Sequence, residues 1–120
     1  MAQKLKYEPN PTFKFDVQIP VAGQDDPGEL TMTFRHLQPK QWSDVYAKSQ
    51  ESMVAAAEEG DSEKQVEFMA AAIMEIAVGW AWGQEFNLEH VSATLKNYPA
   101  FYASVMQQYG EELWKVRAKS

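Results

Sequence analysis

The chain contains no cysteine, and this absence excludes several kinds of chemistry at once. Without thiols there is no disulfide framework, no thiolate nucleophile and no cysteine-ligated zinc or iron–sulfur site. Basic residues are also scarce, because 11 Lys and Arg stand against 17 Asp and Glu, a formal net charge of −6. An acidic chain is poorly suited to nucleic acid, since non-specific binding depends on neutralising phosphates. It is equally poorly suited to an anionic membrane surface.

Targeting signals and long apolar runs are missing as well. Lys4 and Lys6 near the N-terminus are not followed by the apolar segment of a signal peptide. The most apolar stretch, residues 66–82, carries Glu67 and Glu75, which are costly in lipid. We therefore expect a cytoplasmic protein in which this stretch is a buried helix.

Sequence motifs of catalysis are absent too. There is no phosphate-binding glycine loop, no dinucleotide fingerprint and no nucleophile elbow. Glu89 and His90 are adjacent, so on a helix they point about 100° apart and do not form a metal-binding pair. The acidic residues from Glu58 to Glu63 fit a solvated helix junction. We predict no catalytic residues, no metal site and no cofactor, whereas an enzyme would need a pocket of convergent polar groups.

The N-terminal third has the alternating pattern of β-structure. Residues 1–11 are polar and contain Pro9 and Pro11, which predicts a flexible arm. Apolar side chains then alternate with polar ones from Phe13 to Val21, and again from Leu30 to Phe34. A turn sequence separates the two segments, which predicts a β-hairpin over residues 12–36.

From Pro39 the apolar period changes to that of helices. The first helix is predicted from Pro39 to about Glu58, with Trp42, Val45, Tyr46, Ser49, Met53 and Ala56 facing inward. Gly60 is the expected left-handed residue at its end. A second helix is predicted from a capping box at Ser62 to about Trp80. It is apolar on nearly all sides, so we expect it to be covered by the domain or by another copy of the chain.

Two shorter helices complete the prediction. Asn87 is expected to cap a helix that turns Leu88, Val91 and Leu95 inward. The last helix is predicted to start at Pro99, with an inward stripe of Tyr98, Tyr102, Val105, Tyr109, Leu113 and Val116. The predicted fold is mainly α (α+β), an N-terminal β-hairpin followed by about four α-helices. It forms a single domain over residues 12–120, with the helical part at 39–118.

Several apolar side chains fall outside these inward stripes. Trp114 lies on the polar side of the last helix, and a tryptophan on a polar face is a candidate partner anchor. The candidates for partner binding or self-association are Trp114, Trp82, Phe68, Met74 and Val78. Between the second and third helices, two glycines flank two tryptophans. We expect Gly83 to adopt a backbone angle that larger residues resist.

The C-terminal third resembles a known family. The stretch VGWAWGQEFNLEHV at 78–91, the LKNYP at 95–99 and the final EELWK at 111–115 are similar to tail assembly chaperones of long-tailed, siphovirus-type bacteriophages. In that family a Trp–Gly turn precedes a short helix, a tyrosine–proline step and a last amphipathic helix. The resemblance implies structural roles for the residues that match this motif, which are Trp80, Gly83, Phe86, Leu88, Tyr98 and Pro99.

The resemblance implies a non-enzymatic assembly factor. Such a chaperone would bind the tape measure protein, keep it soluble while the tail tube polymerises, and act as a homo-oligomer in the host cytoplasm. It would be absent from the mature virion. A longer form made by translational frameshifting would contact the tail tube protein.

A different class of function also fits the residues. Between Glu51 and Glu89 the acidic side chains greatly outnumber the single Lys64. A small regulatory or inhibitor protein, antitoxin-like or mimicking nucleic acid, would use such a surface to bind a basic partner. Steep loss of affinity with salt would favour that alternative, because screening weakens ionic contacts more than apolar ones.

Overall fold

Two antiparallel strands open the fold, as the alternating sequence predicts. The structure is a computed structural model that describes residues 4–115. Strand β1 (Thr12–Ile19) pairs with β2 (Gly28–Arg35) so that Thr12 lies opposite Arg35 and Ile19 opposite Gly28. One sheet face is buried and the other carries the polar side chains. The inward side chains that are fully covered are Val17, Ile19, Leu30, Met32 and Phe34.

Helix α1 (Pro39–Glu58) starts and ends where the sequence predicts. Pro39 occupies the first turn, and the Gln38 N–H donates to Gln41 Oε1 at 2.9 Å, which satisfies one free backbone donor. At the other end Gly60 has a φ of +70°, so the expected left-handed residue is confirmed.

Helix α2 (Ser62–Ile76) is capped one residue earlier than predicted. Asp61 is the N-cap, and its Oδ1 accepts from the Lys64 N–H at 3.0 Å, so the capping box at Ser62 was wrong. A carboxylate at this position also suits the positive end of the helix dipole.

A third strand replaces the predicted last turn of α2. Strand β3 (Ala77–Trp80) follows α2 directly and pairs antiparallel with β2, with Met32 opposite Trp80 and a register shift between Thr33 and Phe34. The expectation of a helix to Trp80 was therefore wrong. The hydrogen bonds that β2 offers override the helical periodicity of these residues.

Helices α3 (Leu88–Asn97) and α4 (Phe101–Trp114) complete the domain. The predicted cap of α3 is confirmed, because Asn87 Oδ1 accepts from the His90 N–H at 2.8 Å. Helix α4 begins at Phe101 and not at Pro99, since the turn closes with the Phe101 N–H donating to the Tyr98 carbonyl at 2.9 Å. Val116 and the predicted helical residues 116–118 lie outside the described residues.

The core lies between the inner sheet face and helices α2, α3 and α4, and it contains Ile73, Val91 and Val105. The composition of α2 predicted a helix that is buried on nearly all sides. That prediction was wrong, because Glu67, Ala71 and Glu75 face solvent. Within residues 4–115, no helix is long and apolar enough to cross a membrane. The architecture confirms a hairpin followed by four helices in one domain and adds a third strand. The division into an arm at 1–11 and a domain at 12–120 stays a prediction.

Candidate functional site

The five candidate partner residues lie on different parts of the surface. Trp114, the last residue of α4, is the most exposed of them, with a relative solvent accessibility of 61%. Trp82 and Val78 are also exposed, at the end of the sheet and on β3. Phe68 and Met74 are half-buried on α2. The structure therefore does not unite them into one patch, and their roles remain predictions.

Trp114 stands at the rim of a groove between α1 and α4. This α1–α4 groove has a volume of about 450 Å³. Its apolar lining consists mainly of Trp42, Tyr46, Tyr102, Met106 and Trp114. Tyr46 is exposed there and does not face the core as predicted from the helical period. The floor of the groove is apolar, which is the geometry that accepts an amphipathic helix.

Glycine sets the width of this groove. A Cβ atom built on Gly110 would lie 3.4 Å from Nε1 of Trp42, so the indole rests directly against the α4 backbone. This role of Gly110 was not predicted from the sequence. A glycine within the apolar period of the last helix was the available signal, since glycine in a helix interior lowers stability unless close packing needs it.

Buried hydroxyl groups fix one wall of the groove. The Tyr102 hydroxyl lies 2.6 Å from Ser49 Oγ, and Ser49 Oγ in turn donates to the Tyr46 carbonyl at 2.8 Å. Gln50 Nε2 also donates to the Tyr102 hydroxyl at 3.2 Å. Because these polar groups are satisfied inside the fold, the wall is held in place before any partner arrives.

Tyr109 holds the other side of the same region together. Its hydroxyl donates to the Arg35 carbonyl at 2.7 Å and accepts from the Leu37 N–H at 3.2 Å. Its ring lies 5.1 Å from that of Trp42 and 5.3 Å from that of Phe34. Burial raises the pKa of Tyr109 above its ordinary value of 10.0, and the Leu37 hydrogen bond opposes this rise. The side chain is neutral at physiological pH and acts as a structural link between β2, α1 and α4.

The family-motif residues form an aromatic turn after β3. The ring of Trp80 lies 5.0 Å from those of both Trp82 and Phe86, and its Nε1 donates to the Gln84 carbonyl at 2.7 Å. Gly83 does not have the left-handed backbone that we expected, and a Cβ there would meet nothing within 4 Å. The special-backbone prediction for Gly83 was wrong, because the tryptophan contacts hold this turn instead.

The other motif residues surround the short helix α3. Tyr98 and Pro99 form the turn that separates α3 from α4, as predicted. Leu88, expected to face inward, is 50% exposed because it occupies the first helical position, where the chain has not yet reached the core. Val91 and Leu95 are buried as predicted.

Trp82 lies between two grooves at the end of the sheet. One, of about 320 Å³, also contacts Trp80, His90 and Tyr98. The other, of about 170 Å³, is lined by apolar hairpin residues such as Ile19 and Val21, together with Tyr98. Trp82 is therefore accessible from both sides.

A further groove separates α1 from α2. It has a volume of about 240 Å³, and Phe68 and Ala71 line its α2 wall while Val45, Lys48 and Ser52 line its α1 wall. Glu75 lies at one end of it. We call it the α1–α2 groove.

The polar cluster near α3 has a structural explanation. His90 Nδ1 donates to the Glu85 carbonyl at 2.6 Å, which closes the loop before α3. Among residues 4–115, no three His, Asp or Glu side chains are grouped as metal ligands would be.

Exposed aromatic side chains at the rims of helix-lined grooves are typical of a protein-binding module. The family model for phage tail assembly chaperones matches residues 1–120, the whole length of the chain. The protein therefore belongs to the phage tail assembly chaperone family and has a role in tail assembly, with phage tail proteins as its class of partner. No curated protein and no solved structure shows a significant match.

Proposed function

We propose that this protein is a non-enzymatic chaperone that binds the tape measure protein and keeps it soluble in the cytoplasm of the infected host. In this proposal it acts as a homo-oligomer and is absent from the mature virion. Family membership supports the role in tail assembly. The observation that carries the specific proposal is the exposed Trp114 at the rim of the α1–α4 groove.

The α1–α4 groove suits a helical client. A long amphipathic helix presents apolar side chains at every third or fourth position, and a groove with an apolar floor buries them. Trp42, Tyr102 and Met106 provide that floor, while Gln50 and Gln107 provide a polar rim. Trp114 would act as the anchor, because indole contributes a large contact area with few rotatable bonds.

Each contact must be reversible, since the tail tube has to displace the chaperone. One groove of this size gives a modest affinity, whereas several linked copies give avidity without a permanent bond. Oligomers are therefore part of the proposal. A contact with the tail tube protein through a longer frameshifted form remains an expectation from the resemblance.

Co-expression of the chaperone with its tape measure protein tests this function. We expect the client to be mostly insoluble alone and soluble with the wild-type chaperone. The Trp114→Ala variant should rescue less client. Leu88→Ala is the matched control, because Leu88 is similarly exposed but lies away from the groove. A client that is equally soluble with and without the chaperone would refute the proposed function.

Salt distinguishes this function from that of an acidic inhibitor. Apolar contacts in the groove should keep the client bound when sodium chloride rises from about 0.1 to 0.5 M, because salt screens ionic contacts and not apolar ones. Loss of most client binding over this range would favour the inhibitor with a basic partner.

A further inference from the structure

We propose that the segment Lys4–Tyr7 of one copy binds the α1–α2 groove of a second copy, which gives a head-to-tail interface. This inference rests on the self-association within the proposed function and supplies the contact for it.

The N-terminal arm carries two apolar side chains with no cover. Leu5 and Tyr7 are 96% and 101% exposed, which is the accessibility of a free peptide. Lys4 and Lys6 alternate with them, so an extended segment has one apolar side and one basic side. Lys6 Nζ donates to Asn10 Oδ1 at 2.9 Å, and none of the four ion pairs within residues 4–115 includes an arm lysine.

The α1–α2 groove has the complementary chemistry. Phe68 is half-buried and Ala71 is exposed on its α2 wall, so apolar surface remains open there. Glu67 and Glu75 lie on the solvent side of α2, one position before Phe68 and four positions after Ala71. Neither carboxylate has an ion-pair partner within the described part of the chain.

The charges of the arm are complementary to those around the groove. Lys4 and Lys6 would meet Glu67 and Glu75, while Leu5 and Tyr7 would cover the apolar wall. Lys48, on the α1 wall of the same groove, also has no ion pair within residues 4–115. Glu8, the next residue of the arm, supplies an opposite charge for it.

The exposure of the arm favours a second copy over its own domain. The Pro11 carbonyl accepts from the His36 N–H at 2.9 Å, which ties the base of the arm to the end of β2. The backbone bends at Tyr7 and Glu8, yet Leu5 and Tyr7 remain almost fully exposed, so neither side chain packs on its own domain and both are free to contact a second copy. Because arm and groove are different surfaces, the contact is heterologous and repeats as a ring or a filament.

Charge reversal on each side tests the interface. One variant carries Lys4→Glu and Lys6→Glu, and the other carries Glu67→Lys and Glu75→Lys. We expect each variant alone to need about tenfold higher concentration than wild type to associate, measured by light scattering after size exclusion. An equimolar mixture of the two should associate again, because each arm then meets a groove of opposite charge. Lys40→Glu is the control, because Lys40 pairs with Asp44 at the start of α1.

The outcomes separate this inference from the proposed function. If both variants associate as wild type does, the interface is wrong, although client rescue by co-expression can still succeed. If each variant loses association but the mixture does not regain it, the arm and the groove do not pair between copies and the proposal fails. Circular dichroism of each variant shows whether the domain is folded, and Leu5→Ser with Tyr7→Ser provides a second arm variant outside the folded core. If this variant, which keeps both arm lysines, associates like wild type, the proposal fails as well.

Discussion

The side-chain amide of Gln108 pairs with both backbone groups of Gln18. The Gln18 N–H donates to Gln108 Oε1 at 2.9 Å, and Gln108 Nε2 donates to the Gln18 carbonyl at 2.7 Å. This amide takes the place that a neighbouring strand would occupy at the free edge of β1. Helix α4 thus protects a sheet edge that could otherwise pair with another chain.

We expect Gln108→Leu to lower the free energy of unfolding by about 1–2 kcal/mol, because both backbone groups of Gln18 lose their partner. Chemical denaturation measures the change. Gln107→Leu is the matched control and should change stability by less than about 0.5 kcal/mol, since Gln107 is exposed. Equal losses in the two variants would show that the paired amide contributes nothing special.

Tyr109→Phe should lower the free energy of unfolding by about 1–2 kcal/mol at neutral pH. The variant leaves the Arg35 carbonyl and the Leu37 N–H without the hydroxyl that binds both. Tyr46→Phe is the control, because Tyr46 is exposed and its hydroxyl has no hydrogen bond within residues 4–115. A cost for Tyr46→Phe as large as that for Tyr109→Phe would contradict this reading.

The same variant gives a pH prediction. Burial raises the pKa of Tyr109 in the folded state, so the unfolded chain loses this proton first as pH increases. The stabilisation is complete below the unfolded value of about 10 and is lost as pH rises through the folded value. The stability difference between wild type and Tyr109→Phe should therefore narrow above about pH 10. A difference that stays constant between about pH 8 and 11 would contradict the raised pKa.

Gly60 and Gly83 should differ in their tolerance of alanine. A Cβ atom meets nothing within 4 Å at either position, but Gly60 has a φ of +70° and Gly83 is not left-handed. Gly60→Ala should cost about 1 kcal/mol, whereas Gly83→Ala should cost nothing measurable. Thermal unfolding of the two variants provides the comparison, and a larger loss for Gly83→Ala would restore the special-backbone hypothesis.

Alanine substitutions of Trp114 and Trp42 should differ in their effect on folding, although both side chains line the α1–α4 groove. Trp114→Ala should change the free energy of unfolding by less than about 0.5 kcal/mol, because the side chain is exposed. Trp42→Ala should cost about 2–3 kcal/mol, because its ring contacts Tyr109 and the backbone at Gly110. If Trp114→Ala unfolds the protein, Trp114 belongs to the core.

Periodicity predicted most of the fold. The alternation from Phe13 to Phe34 identified both strands, and the capping signals at Pro39, Gly60 and Asn87 placed helix ends correctly. These features depend on neighbouring residues, so a single sequence contains enough information to find them. The exposure of Trp114 followed in the same way from its angle on the helix.

The errors concern contacts between distant residues. The sequence pattern of Ala77–Trp80 predicts a helix. In the structure these residues form a strand because β2, about 45 positions earlier in the chain, provides hydrogen-bond partners. The roles of Gly110 and Gln108 likewise depend on Trp42 and Gln18, which no local pattern connects to them. The α1–α4 groove was missed because its walls come from the middle and the end of the chain.

Tyr109 lies in the last helix, α4, and this position affects how the domain folds during synthesis on the ribosome. The inner face of the hairpin, including Phe13 and Phe34, is covered by Tyr109 of the last helix, and β3 reaches β2 only after α1 and α2 have emerged. A nascent chain therefore exposes an incomplete apolar sheet until α4 has left the exit tunnel. Folding of this domain is therefore complete only once α4 has emerged from the ribosome.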